Sequence, residues 1–138
     1  MRITADTNIL VRAVVADDPG QTAAAIRILR EAESVALTLP ALCELVWVLR
    51  RGYRSRSADI AAIVRDLVVA TTVETDFPAV EAGLAMLDAG GDFADGVIAF
   101  AGRQMGHAVF ASFDRRAVEL VRAAGGEAQL LAAPNKPG

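Results

Sequence analysis

The sequence has few of the residues on which several common mechanisms depend. Its 138 residues include one cysteine, Cys43, one histidine, His107, and one lysine, Lys136. A single cysteine excludes an internal disulfide framework and suits a reducing cytosol, so we expect a cytoplasmic location. The lone lysine leaves none in the body of the chain for catalysis. The lone histidine comes just before a predicted strand, away from the acids described below, which argues against a Ser-His-Asp triad.

Long hydrophobic runs are also absent, although hydrophobic residues make up 54% of the chain. The apolar stretches are short and interrupted by charge, so no membrane span is predicted. The chain begins with a strand-like stretch and no apolar leader, so we expect no secretory signal. The formal net charge of −3 argues neither for nor against a nucleic-acid partner. This length and composition predict one ordered globular domain.

Short apolar strands alternate with longer helical stretches. We predict strands at residues 3–5, 35–38, 71–74, 108–111 and 128–131, with apolar helices that include residues 42–51 and 57–69. Ser57 is the predicted N-cap of the second of these helices. The alternation predicts a single domain of α/β fold with a central parallel β-sheet flanked by helices on both faces. We expect this domain to cover residues 1–131 and a disordered tail to cover residues 132–138.

Four acidic residues recur at places where a parallel sheet binds ligands. Asp6 ends the first predicted strand, Asp114 follows the fourth, and Asp95 opens an apolar helix three residues after Asp92. Ligands of such sheets bind beyond the carboxyl ends of the strands. Glu44 lies within an apolar helix, and we favour burial for a purpose over exposure by the helical period. Each acid also has an ordinary interpretation as a cap or surface residue, and Asp92 is the predicted N-cap of its helix.

Clustered carboxylates repel one another, so a cation is expected among them. Oxygen ligands select hard cations, which here means Mg²⁺ with Mn²⁺ as a possible substitute. Magnesium commonly completes its coordination shell with water and substrate phosphate oxygens. We therefore predict metal-assisted hydrolysis of a phosphodiester, with the number of ions, one or two, left open.

Four motifs resemble those of PIN-domain ribonucleases, and these motifs are Asp6-Thr7-Asn8-Ile9-Leu10, Glu44-Leu45, Asp92-Phe93-Ala94-Asp95-Gly96-Val97-Ile98-Ala99 and Ser112-Phe113-Asp114. Their order and spacing are similar to those of VapC-type toxins of bacterial toxin–antitoxin pairs. This resemblance extends from Met1 to about Leu131. The resemblance implies a single PIN-like domain that acts as a magnesium-dependent endoribonuclease, and a homodimer inhibited by a small VapB-type antitoxin. It also implies a metal held by Asp6, Glu44, Asp95 and Asp114, with supporting hydrogen bonds from Asn8, Asp92 and Ser112.

Two positions depart from the family's usual pattern. Gly96 stands where alanine is common, and a glycine inside a helix costs roughly 1 kcal/mol. Ser112 stands where threonine is usual, which retains the hydroxyl group.

Arginines and apolar helix faces suggest the partners. We predict that RNA reaches the site over six arginines, Arg50, Arg51, Arg54, Arg56, Arg115 and Arg116. The competing interpretation is that these arginines form an ordinary solvated surface. The apolar faces of helices 42–51 and 57–69 predict a homodimer and a groove for an amphipathic antitoxin segment.

Three other interpretations compete with the nuclease. A receiver-type phosphoacceptor domain also has acids at strand ends, but it requires a lysine at the end of its last strand, where this chain has none. A catalytically inactive PIN domain that binds RNA or protein is the stronger rival. Cys43 as a nucleophile is disfavoured against a buried structural thiol, because no histidine is expected beside it.

Overall fold

The computed structural model describes residues 1–134, and it confirms an α/β chain in which strands and helices alternate. The chain divides into two compact units, one covering Met1–Val80 and the other beginning at Glu81. Within the described residues, no helix is both long enough and apolar enough to cross a membrane.

The first unit contains a three-stranded parallel sheet and four helices. Its elements are β1 (Arg2–Thr4), α1 (Thr7–Val14), α2 (Pro19–Glu31), β2 (Ser34–Ala36), α3 (Leu39–Arg51), α4 (Ser57–Val69) and β3 (Val73–Glu74). The strand order is β1-β2-β3, with Ile3 opposite Val35 and Val35 opposite Val73. Apolar residues of the helices and of β2 form the core, and the large side chains that are fully buried include Leu10, Val35, Leu42, Leu45, Leu49, Ile60 and Val64.

Helix starts in the first unit follow capping chemistry with one exception. Thr38 caps α3 by accepting a hydrogen bond from the Ala41 N–H, and Pro40 lies in the first turn of that helix. The predicted cap of α4 is wrong. Arg56 occupies the N-cap position without a side-chain cap bond, and the Ser57 hydroxyl accepts a 2.6 Å hydrogen bond from Arg50 Nη2 instead.

The second unit pairs two parallel strands with helices. Helix α5 (Phe77–Asp88) runs across the boundary into this unit and is followed by α6 (Phe93–Gln104), β4 (Val109–Ser112), α7 (Arg115–Ala123) and β5 (Glu127–Leu130). Phe110 of β4 lies opposite Ala128 of β5. Met86, Ala99 and Val121 form a small buried cluster against which Phe110 packs.

A close approach between α5 and α6 explains the unusual glycine at position 96. A Cβ atom at Gly96 would overlap the carbonyl oxygen of Ala82 and lie 2.9 Å from Gly83 Cα. Both neighbouring atoms belong to backbone, so neither can rotate away as a side chain could. The helix-propensity cost expected from the sequence is therefore accompanied by a packing requirement that only glycine meets.

The five predicted strands and their parallel pairing are confirmed, with bounds shifted by at most two residues. One shift changes the role of an acid. Strand β1 ends at Thr4, so Asp6 does not end the strand but is the N-cap of α1. Residues 131–134 have no regular secondary structure, and the rest of the predicted tail lies outside the described residues.

Candidate functional site

In the second unit, Asp92 and Asp114 are the N-caps of α6 and α7. Asp92 caps α6, its Oδ1 accepting a 3.1 Å hydrogen bond from the Ala94 N–H. Asp114 caps α7, its Oδ1 accepting a 3.2 Å hydrogen bond from the Ala117 N–H. The capping interpretation of both residues is therefore correct. Each cap uses one carboxylate oxygen and leaves the other available for a ligand.

Asp95 differs from its two neighbours because it has no capping role. It lies in the first turn of α6, is half-buried, and accepts no hydrogen bond from any residue in the range 1–134. Burial raises the pKa of the Asp95 carboxyl above its ordinary value, and the negative charges of Asp92 and then Asp114 raise it further. A cation beside Asp95 would reverse this effect, so the donor chemistry fits a hard metal ion.

In the first unit, a threonine links two of the predicted ligands. Asp6 Oδ1 accepts a 2.8 Å hydrogen bond from the Thr7 N–H, and the Thr7 hydroxyl donates a 2.9 Å hydrogen bond to Glu44 Oε2. Thr7 is 8% exposed and is a buried polar side chain in an otherwise apolar core. The first residue of α1 therefore fixes the Glu44 carboxylate relative to the start of that helix.

The favoured interpretation of Glu44 as a buried carboxylate is wrong, because Glu44 is exposed. The residues that follow it, Leu45 and Val46, face the core, and the helical period places Glu44 on the outer side of α3. Its position is set by the Thr7 hydroxyl rather than by burial. The sequence interpretation singled out Asn8 and overlooked Thr7. A hydroxyl directly after the first acid and at the start of an apolar helix was the available signal.

Within each unit, the carboxylates do not form a closed metal site by themselves. Among residues 1–134, no group of three or more His, Cys, Asp or Glu side chains is arranged to hold a metal ion. The charges of Asp92 and Asp114 act on Asp95, but these three carboxylates are not arranged to hold a metal ion. The structure thus supplies suitable donors but not a finished coordination shell.

Comparison with known proteins identifies the family. Residues 3–124 match the sequence model of the PIN domain. The chain belongs to the PIN domain family. No curated protein gives a significant match. Among solved structures, this PIN domain is similar to the crystal structure of Mycobacterium tuberculosis VapC20, a sarcin–ricin loop cleaving toxin, at 20% sequence identity. The match covers 90% of this chain and 95% of that chain, with a TM-score of 0.43.

The residues predicted to make supporting hydrogen bonds to the metal ligands differ in what they contact. The Ser112 hydroxyl accepts a 3.0 Å hydrogen bond from the Asp114 N–H and so constrains the turn that presents Asp114. Asn8 is exposed, and its side chain has no hydrogen bond within the described part of the chain. Cys43 is half-buried rather than fully buried. His107 precedes β4 whereas Asp114 follows it, so this histidine lies at the other end of the strand, as predicted.

The arginines of the first unit are partly engaged in local contacts. Arg50 donates to Ser57, and Arg56 forms a 3.7 Å ion pair with Asp59 between two exposed side chains. Such an exposed pair contributes little to stability, so it leaves Arg56 free to exchange partners. Arg51 and Arg54 are also exposed.

In the second unit of the PIN domain, two arginines directly follow Asp114. Arg116 Nη2 donates a 3.3 Å hydrogen bond to the Ala89 carbonyl oxygen. Arg115 is exposed and makes no ion pair with any residue from 1 to 134. This end of the unit therefore presents positive charge beside the Asp114 carboxylate.

Proposed function

We propose that this PIN domain is a magnesium-dependent endoribonuclease, the toxin of a VapC-type toxin–antitoxin pair. The observation that carries the proposal is the family match over residues 3–124. It is supported by the presence of an acid at each of the four motif positions and by the raised pKa of Asp95, which is the expected condition of a carboxyl group that requires a cation. We expect the protein to act in the cytoplasm.

In this proposal the metal ligands are Asp6, Glu44, Asp95 and Asp114. When bound, Mg²⁺ activates water and stabilises negative charge on the phosphate, and Mn²⁺ is expected to replace it. The remaining contacts orient the ligands. The Thr7 hydroxyl fixes Glu44, and the Ser112 hydroxyl fixes the turn at Asp114.

A second function is a catalytically inactive PIN domain that binds RNA or protein. The absence of a closed group of metal-binding side chains among the described residues favours this alternative. The acids at the four motif positions favour the nuclease, because a module that only binds RNA gains nothing from acidic side chains that repel phosphate.

Metal-dependent cleavage separates the two functions. Purified full-length protein, freed of any antitoxin, is incubated with end-labelled RNA in the presence of EDTA and then with added Mg²⁺ or Mn²⁺. We expect internal cleavage that EDTA stops and that either metal restores. RNA that is bound but remains intact at every metal concentration would establish the binding module instead.

The partners follow from the same proposal. RNA is expected to approach over Arg50, Arg51, Arg54 and Arg56, and over Arg115 and Arg116. Replacement of these arginines by alanine should weaken RNA binding and flatten its dependence on salt concentration, which a titration at several salt concentrations measures. A homodimer and a VapB-type antitoxin that inhibits it are also proposed. The exposed side chains of Trp47 and Val69 on α3 and α4 support an interface, and the mass in solution at micromolar concentration tests it.

Thr7→Val tests the contact that fixes Glu44. The change preserves the size of the side chain and removes the hydroxyl, so Glu44 loses its 2.9 Å hydrogen bond. Loss of such a supporting contact typically reduces metal affinity or activity by about 10- to 100-fold. Titration of cleavage rate against Mg²⁺ measures the effect.

Thr7→Ser is the matched control, because it retains the hydroxyl and should retain most of the magnesium affinity. If Thr7→Val needs no more magnesium than the wild type, the contact with Glu44 has no role in metal binding.

A further inference from the structure

Phe113 is a large apolar side chain that the fold leaves in solvent. Its side chain is 69% exposed, whereas Phe93 of the same unit is fully buried and Phe110 packs against the core cluster. A phenylalanine that is 69% exposed contributes little burial energy to the fold, so most of its ring is available for a contact outside the chain.

The backbone on both sides of Phe113 is fixed by hydrogen bonds. The Ser112 hydroxyl accepts from the Asp114 N–H at 3.0 Å, and the Asp114 carboxylate accepts from the Ala117 N–H at 3.2 Å. Ser112 also belongs to β4, and its carbonyl oxygen accepts from the Leu131 N–H. The exposed ring is therefore carried by a restrained turn between β4 and α7. A ring presented in this way loses little conformational freedom when it makes contact with a ligand.

The immediate neighbours of Phe113 select an RNA strand over an apolar partner. Asp114, a proposed metal ligand, follows it directly, and exposed Arg115 and Arg116 come next. An apolar partner that covered the ring would also cover some of these charged residues, which adjoin it in sequence, and their desolvation would be costly. Arginines beside an aromatic ring are typical of surfaces that bind single-stranded nucleic acid, where the cations contact phosphates and the ring contacts bases.

We propose that Phe113 stacks on an unpaired base of the RNA beside the phosphodiester held near Asp114. The proposal rests on the proposed nuclease function and adds to it a residue that contacts a base beside the cleaved bond. A base in a continuous duplex is already stacked on both faces and cannot receive the ring.

Stacking is measured first through binding. The parent protein for this experiment carries Asp95→Asn, which is intended to prevent cleavage. This parent, and its Phe113→Leu and Phe113→Tyr variants, are titrated with a fluorescently labelled single-stranded RNA in Mg²⁺. Loss of one base–aromatic stack is expected to raise Kd by about 10-fold in Phe113→Leu. Phe113→Tyr retains a ring and should bind like the parent. Phe77→Leu, at another exposed phenylalanine, is the matched control and should leave Kd unchanged.

A spectroscopic readout reports the stack directly. Trp47 is the only tryptophan, so Trp47→Phe combined with Phe113→Trp places the sole indole at position 113. We expect single-stranded RNA to quench its emission and an RNA duplex of the same length to quench it much less. Emission that changes with protein concentration but not with RNA would assign Phe113 to a protein interface and overturn the proposal.

The outcomes for this proposal and for the nuclease function can be told apart. Wild-type cleavage combined with an unchanged Kd and an unchanged KM in Phe113→Leu would remove the stacking role and leave the nuclease intact. Quenching and a raised Kd in a protein that never cleaves RNA would leave the stacking contact intact and remove the nuclease.

Discussion

Replacement of Asp95 by Asn is expected to reduce RNA cleavage by roughly 100-fold or more while making the metal-free protein more stable. The substitution is nearly isosteric, so the packing of Val97 against the core should survive. It removes one negative charge from the proposed metal ligands and leaves an amide oxygen, which is a weaker ligand. The expected loss exceeds the 10- to 100-fold that is typical of a supporting residue, because the ligand itself is changed.

The gain in stability has a defined pH dependence. Burial, then Asp92, then Asp114 raise the pKa of folded Asp95 above its ordinary value of 3.8. Below pH 3.8 this carboxyl is protonated in both the folded and unfolded states, so its pKa shift has no effect on stability. As the pH rises through the folded-state pKa, the folded protein must ionise an unfavourably placed group and loses stability. Asp95→Asn should therefore exceed the wild type most at neutral pH and approach it in acid.

Urea denaturation with EDTA and with Mg²⁺, at several pH values, measures both effects. Magnesium should stabilise the wild type more than Asp95→Asn, because a ligand stabilises only through its binding to the folded state. Asp76→Asn is the matched control, since Asp76 caps α5 through the Ala79 N–H and belongs to no proposed metal site. Equal cleavage and equal responses to magnesium in Asp95→Asn and wild type would show that Asp95 is an ordinary helix-start residue.

The periodic features of the sequence predicted most of the fold. Five strands, their parallel pairing and the long helices follow from short apolar runs that alternate with residues at helical spacing. The errors occur where a tertiary contact decides a local choice. Ser57 is a good cap by propensity, but its hydroxyl accepts from Arg50, seven residues earlier in the chain. Asp6 was predicted to end β1, but the strand ends at Thr4 and Asp6 is the N-cap of α1.

The candidate site was predictable to a similar extent. Acids before helices were recognisable from the sequence, and Asp92 and Asp114 do cap theirs. The contact between Thr7 and Glu44 was not, because the two residues are 37 positions apart and only the packing of α1 against α3 joins them. Glu44 was misjudged because an apolar neighbourhood in sequence does not imply burial for a residue on the outer side of a helix. The assignment of the metal ligands remains a prediction.

Gly96→Ala is expected to give the largest loss of stability of any single methyl addition in α6. The new Cβ would overlap the Ala82 carbonyl oxygen and lie 2.9 Å from Gly83 Cα, so α5 and α6 must move apart. Overpacking of this kind costs typically 1–3 kcal/mol, and the higher helix propensity of alanine offsets up to about 1 kcal/mol of it. Because backbone cannot rotate away, we expect the free energy of unfolding to fall by about 2 kcal/mol, measured by urea denaturation.

Gly102→Ala in the same helix is the control. Its Cβ would lie 3.5 Å from the nearest atom, the His107 carbonyl oxygen, which is ordinary contact. This variant should be as stable as the wild type or more stable by up to about 1 kcal/mol. The pair also tests the link between packing and function. Gly96 directly follows Asp95, so a shift of α6 displaces that carboxylate, and Gly96→Ala should lose cleavage at temperatures where it remains folded. If Gly96→Ala matches Gly102→Ala in both stability and cleavage, then α5 and α6 are not in close contact and the position of Asp95 does not depend on their approach.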